Sequence, residues 1–451
     1  MSFASPRRRL RGALAAGVVA SAVALVLAGC APGSATTGPA KGATDVSTQL
    51  TSKKVALTIA DETGFPLTDE LTKEFTKQHP NVTFTITRDT FQNLTANAPK
   101  LLASSTPPDL IRLPTLGDTV RDGLVANLDP YFTAYGWDKW PAAQLAPLRM
   151  TADGVRGSGS LYQLGLGYSV TGIFVNTKLA QQAGITSIPK TLDELGADFA
   201  KAKSAGIAPL VEGDKDGVVN FTVQAAMNQY VDKQQFLDWM FNKPGATYDQ
   251  PGNVKGAELI RTWADAGYFP SDINAVDYFT FVSNFQDGKG VYTFNGNWEA
   301  ANYAKKLGKD VQFFLVPPAK AGGDHVAMGA ANSFSAAAKS KNLDTVAYFL
   351  NWVHTNAKAR QIVVDVTGAA PGGDPAEAQP KVEKGSLTEQ VLAAAAQIGK
   401  ENGQVDFMAN TTAGIYAGAI IPESQLLVTS KITGKEFVDK VQAFYAQEVK
   451  K

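Results

Sequence analysis

A single cysteine in 451 residues rules out an intrachain disulfide, so a covalently stapled secreted scaffold is excluded. Zinc sites built from several cysteines are excluded with it. Only three histidines occur, His79, His325 and His354, each alone in its stretch, and no HExxH is present. That argues against a histidine-based metal centre, and no metal or other cofactor is expected. Charge of one sign is also missing: 42 Lys and Arg balance 42 Asp and Glu, leaving no electrostatic footprint for nucleic acid. No G-x-S-x-G elbow appears; Gly167-Tyr168-Ser169-Val170-Thr171 lacks the second glycine. Phosphate loops and dinucleotide fingerprints are absent. Asp214-Lys215-Asp216-Gly217 starts like a calcium loop, but the later ligands, including a Glu at position 12, are missing. Adjacent acids such as Asp61-Glu62 could serve a glycosidase, since two carboxylates suffice for that chemistry. Nothing else demands catalysis, and the chain reads as a non-enzyme. What remains is ordinary globular composition, 44% apolar and 19% charged, with length for two to four domains.

The one long apolar run lies at the N-terminus. Arg7, Arg8, Arg9 and Arg11 precede Leu14 to Leu27, and the run ends in Leu27-Ala28-Gly29-Cys30. Basic segment, short apolar stretch and small-residue cleavage site follow the order of a secretory signal peptide, residues 1–29. The Leu-Ala-Gly-Cys end resembles a bacterial lipobox, which implies cleavage before Cys30 and lipidation of its sulfur. The arginine cluster leaves Sec and twin-arginine export both open. Residues 30–52 are rich in Ala, Gly, Ser and Thr and read as a lipidated flexible tether. The body is then expected outside the cytoplasm, anchored to the cell membrane by lipid. Removing residues 1–29 takes four arginines and no acid, so the mature chain is mildly acidic.

The body alternates strand-like and helix-like segments. Val55–Ala60 and Val82–Thr87 are strands, and Leu110–Leu113 and Ile173–Asn176 follow. Leu67, Leu71 and Phe75 recur at helical spacing, the stripe of a helix lying on a sheet. Thr191–Glu194, Ser386–Glu389 and Thr433–Glu436 read as capping boxes that open amphipathic helices. Such alternation predicts α/β layers around mostly parallel sheets. Residues 371–380 (PGGDPAEAQP) read as an inner loop of low order. Trp239, Trp263 and Trp352 fall on helical stripes and belong to the core; Trp137 and Trp140 pack a loop. Trp298 stands apart. It follows the strand-like Val291-Tyr292-Thr293-Phe294 in a turn, Asn295-Gly296-Asn297-Trp298-Glu299. Ligands of open α/β sheets bind outside the carboxyl ends of strands, and a tryptophan there can stack on a sugar while amides and a carboxylate bond its hydroxyls. The alternative is a tryptophan that covers a helix N-terminus.

Several stretches then fall into a known order. They are Pro108-Asp109-Leu110-Ile111, Gly123-Leu124 with Leu128-Asp129-Pro130, Tyr162-Gln163-Leu164-Gly165 and Val175-Asn176. Pro189-Lys190-Thr191-Leu192-Asp193-Glu194-Leu195, Phe285-Gln286-Asp287-Gly288-Lys289, Gly296-Asn297-Trp298 and Gly368-Ala369-Ala370-Pro371 complete it. From Val55 to Lys451 this series resembles the carbohydrate-type extracellular solute-binding proteins (family 1) of ATP-binding-cassette (ABC) importers. The resemblance implies an α/β periplasmic-binding-protein-like fold: two discontinuous lobes joined by a crossing hinge. Lobe one would comprise residues 53–167 and 333–375, and lobe two 168–332 and 376–451. Gly165 and Gly167 suit either the first crossing or simple turns.

The resemblance further implies an interlobe cleft that captures a sugar and delivers it, as a monomer, to the transmembrane subunits of an ABC permease. Its cleft positions fall on Glu62, Phe65 and Phe91, on Leu113 and Thr115, and on Tyr168 and Ser169. Asn220 and Phe221 follow, then Asn297, Trp298 and Glu299, then Asn332, and on the far rim Phe407 and Asn410. Leu113-Pro114 stands where many relatives carry aromatics, and Ser169 where maltose types are often acidic. Both departures point away from maltose toward another mono- or short oligosaccharide. A receptor for a non-sugar solute, or a lipid-anchored glycoside-active enzyme, are the alternatives.

Overall fold

The structure is a computed structural model that describes residues 46–450. The signal peptide, Cys30 and the tether up to residue 45 lie outside the described residues. The tether reading fails at its end. Val46 and Leu50, spaced to share a side, pack against the body, and Asn81 Nδ2 donates to the carbonyl of Thr51 at 2.7 Å.

The strands, in chain order, are β1 (Val55–Glu62), β2 (Val82–Asp89), β3 (Leu110–Arg112), β4 (Arg149–Met150), β5 (Ser160–Leu161) and β6 (Leu164–Tyr168). They continue with β7 (Thr171–Asn176), β8 (Tyr292–Gly296), β9 (Val311–Phe314), β10 (Ala327–Met328), β11 (Ala331–Ala336) and β12 (Gln404–Val405). A first sheet has the order β2-β1-β3-β11-β6, and a second the order β8-β7-β9. β-branched residues dominate β2, which pairs in parallel with β1 from Val55↔Val82 to Glu62↔Asp89. The helix Leu67–Gln78 returns between them and buries Leu67, Leu71 and Phe75, as its stripe requires. Phe75 meets Phe349 and Trp352 edge-on, with centroids 5.2 and 5.1 Å away. Each sheet thus has its own apolar core, one around Phe75, Phe334 and Trp352, the other around Phe199, Trp239 and Trp263. Trp137 and Trp140 are buried in the first core as well.

The expectation of mostly parallel sheets holds at β1, β2 and β3 and in the short β10–β12 pair, and not elsewhere in the two larger sheets. β11 runs antiparallel to both its neighbours, and β7 antiparallel to both of its own. The cause is the path of the chain. β7 is entered directly from β6 of the first sheet, while β8 runs back toward that crossing, so that Thr171 faces Gly296. The chain crosses at Ser169–Val170 and again at Gly329–Ala330. The two passages are stitched by Ser169 N–H to the Ala330 carbonyl (2.9 Å) and Thr171 Oγ1 to the Met328 carbonyl (3.0 Å). A third passage joins them where Tyr168 and Ala370 exchange backbone bonds of 2.8 and 3.1 Å. Gly165 and Gly167 serve packing here. A Cβ on Gly165 would stand 2.5 Å from that of Ala331, and one on Gly167 2.9 Å from Val363.

Of the three capping boxes, only Thr433–Glu436 closes both halves. Glu194 and Glu389 reach one residue further, to the N–H groups of Lys190 and Gly385. The 371–380 segment has no helix or strand, but the Arg360 guanidinium ties it down by donating to the carbonyls of Gly372 (2.7 Å) and Ala378 (2.9 Å).

Candidate functional site

β8 ends at Gly296, and the chain turns into the helix Ala300–Leu307 through Asn297, Trp298 and Glu299. Gly296 is required by its neighbour: a Cβ there would land in the Trp298 ring. The indole N–H donates to the Tyr278 hydroxyl at 2.6 Å, and that hydroxyl donates to Glu299 Oε1 at 2.6 Å. Asn302 Nδ2 donates to Glu299 Oε2 at 2.7 Å. Burial pushes the Glu299 carboxyl above its usual range, against these two bonds, and pushes the Tyr278 hydroxyl well above its own. Phe221, at the start of the helix Asn220–Asn228, lies 5.7 Å from Trp298 by ring centroid. Phe407 lies 6.3 Å from Trp298 and 5.8 Å from Phe221. Three half-buried rings from three distant segments therefore share one partly open aromatic surface, suited to the C–H face of a sugar.

The polar groups around it are mostly engaged. Asn297 Oδ1 accepts from Val170 N–H at 2.9 Å and so fixes the crossing, and Asn220 Nδ2 donates to the Gly217 carbonyl at 2.7 Å. Ser169 Oγ donates to the Ala330 carbonyl. These residues, with Glu299, orient the aromatic surface in this conformation. In the first sheet, the ends of β1 and β3 bring Glu62 and Arg112 to 3.7 Å, and Arg112 also donates to the Ser333 carbonyl. Burial raises the Glu62 carboxyl, with the Arg112 guanidinium opposing. Phe65 and Phe91 are half-buried at the starts of the helices after β1 and β2, and Thr115 is half-buried after β3. Leu113 is only 2% exposed and packs into the core with Leu94, Ile111 and Leu116, so its side chain offers a ligand no surface. Asn332 is buried in β11.

Tyr168 and Asn410 line a second meeting place, a cavity of about 20 Å³ shared with Gln163, Arg156 and Asp406. That admits about one water. Arg156, in the turn between β4 and β5, reaches Asp406 Oδ2 at 2.6 Å and the Asn410 carbonyl at 3.1 Å, and both ionic side chains are 5% exposed. Asn410 Nδ2 closes the turn onto Asp406 Oδ1 at 3.0 Å. This buried pair fixes the turn that carries Phe407. Tyr278, Arg156 and Asp406 were not singled out by sequence. Tyr278 begins an aromatic-rich helix that reads as core, and Arg156 meets a partner 250 positions away.

Two further acids, Glu212 and Asp214, are buried. Glu212 accepts from Phe294 N–H at 2.9 Å, and Asp214 is fully buried. Burial pushes each of the two up to about 8. Among the described residues no group of three or more His, Cys, Asp and Glu is placed to hold a metal ion. Carboxyls raised in the folded state bind protons there that the unfolded chain has released, so stability should fall as pH rises from about 4.5 to about 8. Thermal melts across that window should show the decline, and Asp214→Asn should flatten it and melt higher at pH 8; equal slopes in both proteins would contradict this.

The sequence matches the family described as bacterial extracellular solute-binding protein over residues 60–360. The chain belongs to that family. It is a family of receptors, not of enzymes. A binding protein of Brucella abortus (strain 2308) is 24% identical over 242 residues, 52% of this chain and 56% of that relative. The chain thus spans about half the length of the curated relatives it matches. Among solved structures, a chitin oligosaccharide binding protein superposes with TM-score 0.73 at 18% identity, over 88% of this chain and 100% of that one. The galacto-N-biose/lacto-N-biose I-binding protein of a Bifidobacterium longum ABC transporter gives 0.67 at 17%, over 88% and 97%. A solute-binding protein in complex with raffinose gives 0.68 at 15%, over 88% and 100%. The architecture is therefore the α/β periplasmic-binding-protein-like fold. Among the described residues of this family member, no helix is long and apolar enough to cross a membrane.

Proposed function

We propose that this solute-binding protein captures a mono- or short oligosaccharide between two lobes and delivers it to the transmembrane subunits of an ABC permease. The observation that carries the reading is the Trp298–Phe221–Phe407 surface at the carboxyl end of β8, with Tyr278 and Glu299 orienting the indole. The lobes would be residues 53–167 with 333–375, and 168–332 with 376–451, meeting at the crossings beside Ser169 and Ala330. In this reading the lobes part to admit the sugar and close around it by hinge motion at the crossings. The lipobox-like Leu27-Ala28-Gly29-Cys30 supports a mature chain that begins at Cys30 and is held to the membrane by lipid on that residue. The receptor would act outside the cytoplasm as a monomer.

A thermal-shift screen over D-galactose, lacto-N-biose, raffinose and N,N′-diacetylchitobiose tests this. A sugar present at 100 times its Kd adds about 2.7 kcal/mol to the native state and raises the melting temperature. No shift with these or with other mono- to trisaccharides at millimolar concentration would count against a sugar ligand.

A further inference from the structure

Phe279 is 63% exposed, more than any other large apolar side chain among the described residues. It is not free. A Cβ built on Gly64 would stand 3.1 Å from Cε1 of Phe279 and 3.2 Å from Cζ. Gly64 belongs to the loop that leaves β1 of the first sheet, whereas Phe279 lies in the helix Tyr278–Gln286, which packs with the second sheet through Phe281 and Phe285. Its neighbour Tyr278 faces elsewhere, the two rings standing at 88°, and holds Trp298 and Glu299 through its hydroxyl. One helical turn thus touches both the aromatic site and the opposite sheet's loop.

Both sides of the contact are braced. Asp277 caps the turn by accepting from Thr280 N–H at 2.9 Å, and Asp216 Oδ2 accepts from Tyr278 N–H at 3.1 Å. Opposite, Arg88 Nη1 donates to the carbonyls of Glu62 (2.8 Å) and Phe65 (3.3 Å), which flank Gly64. Gly64 sits at φ +87, where an L side chain is strained, and any side chain there would also press on the phenyl ring.

We infer that the first turn of this helix is a latch: Phe279 docks on Gly64 to hold the two halves together, while Tyr278 positions Trp298 for the solute. Such a turn links seating of the indole to closure, because both side chains ride on one rigid backbone segment. Tyr278 is a positioning residue and need not touch solute itself. The solute arm of the latch rests on the sugar-capture reading; the closure arm does not.

The test uses the mature chain in two states. Without sugar, small-angle X-ray scattering of Phe279→Ala and Gly64→Val should show a larger radius of gyration than wild type, with circular dichroism confirming that both fold. With whichever of the four sugars above gives the largest thermal shift, Phe279→Ala should release it at least fivefold faster, with association nearly unchanged. Tyr278→Phe should weaken binding about tenfold, and should shift the emission assigned to Trp298 by difference from a Trp298→Phe protein, even without sugar. Its effect on affinity should largely vanish in the Trp298→Phe background. Unchanged scattering in both closure variants would overturn the latch, whatever sugar binds. Altered scattering with no sugar bound by wild type would uphold the latch and reject the sugar reading instead.

Discussion

Trp298→Ala is expected to weaken sugar binding by more than tenfold, with the melting temperature within about 2 °C of wild type. The ring is half-buried among Phe221 and Phe407 and is not part of either sheet's core. Covering roughly 80 Å² of apolar surface with a sugar face is worth about 2 kcal/mol at 25 cal/mol per Å², and 1.4 kcal/mol is already tenfold in affinity. Gly296→Ala supplies a second, independent lesion. Its methyl would occupy the space of the indole, so affinity should fall comparably although the tryptophan is still present. Titration calorimetry on both variants checks this. Wild-type affinity in Trp298→Ala would leave the residue as a cover for the helix Ala300–Leu307 and nothing more.

Arg156→Met is the substitution with the largest expected cost in stability. It removes the partner of a carboxylate that is 5% exposed and the donor to the carbonyls of Asn410 and Pro147. Breaking a buried ion pair from one side typically costs about 3–5 kcal/mol, whereas removing both charges is often close to neutral. The single variant should therefore melt several degrees lower, and Arg156→Met with Asp406→Asn should recover most of the loss. Phe407 follows Asp406 directly and its N–H donates to Asp406 Oδ1 at 2.7 Å, so the single variant should also bind sugar more weakly. A melting temperature equal to wild type in Arg156→Met would show that the pair does not hold the turn.

What could be read from sequence was local or ordered along the chain. The stripe of Leu67, Leu71 and Phe75, the strands from Val55 and Val82, and the turn after β8 each carry their own periodicity or punctuation. Trp298 and Glu299 stood out by their place after a strand, Phe221 and Phe407 came from the resemblance, and all four converge with Tyr278 in space. What was not legible shares a physical cause, which is that tertiary contacts decide it. Nothing local marks Glu212 and Asp214 as buried acids. Leu113 follows a strand as a rim residue would, yet packs inward on Leu94. Asn297 and Ser169 are expected at the cleft, and the crossing backbone engages Asn297 Oδ1 and Ser169 Oγ. Antiparallel pairing of β7 followed from where the chain crosses, which alternation of elements does not encode.

The central claim is that this receptor binds sugar on the Trp298 surface. Titration calorimetry of the mature chain, with the sugar that raises its melting temperature most, measures that directly. The expected result is one saturable site per chain with unaltered sugar recovered afterward, and a loss of more than tenfold in Trp298→Ala. Conversion of the sugar to products, or heat unchanged by the substitution, would contradict it.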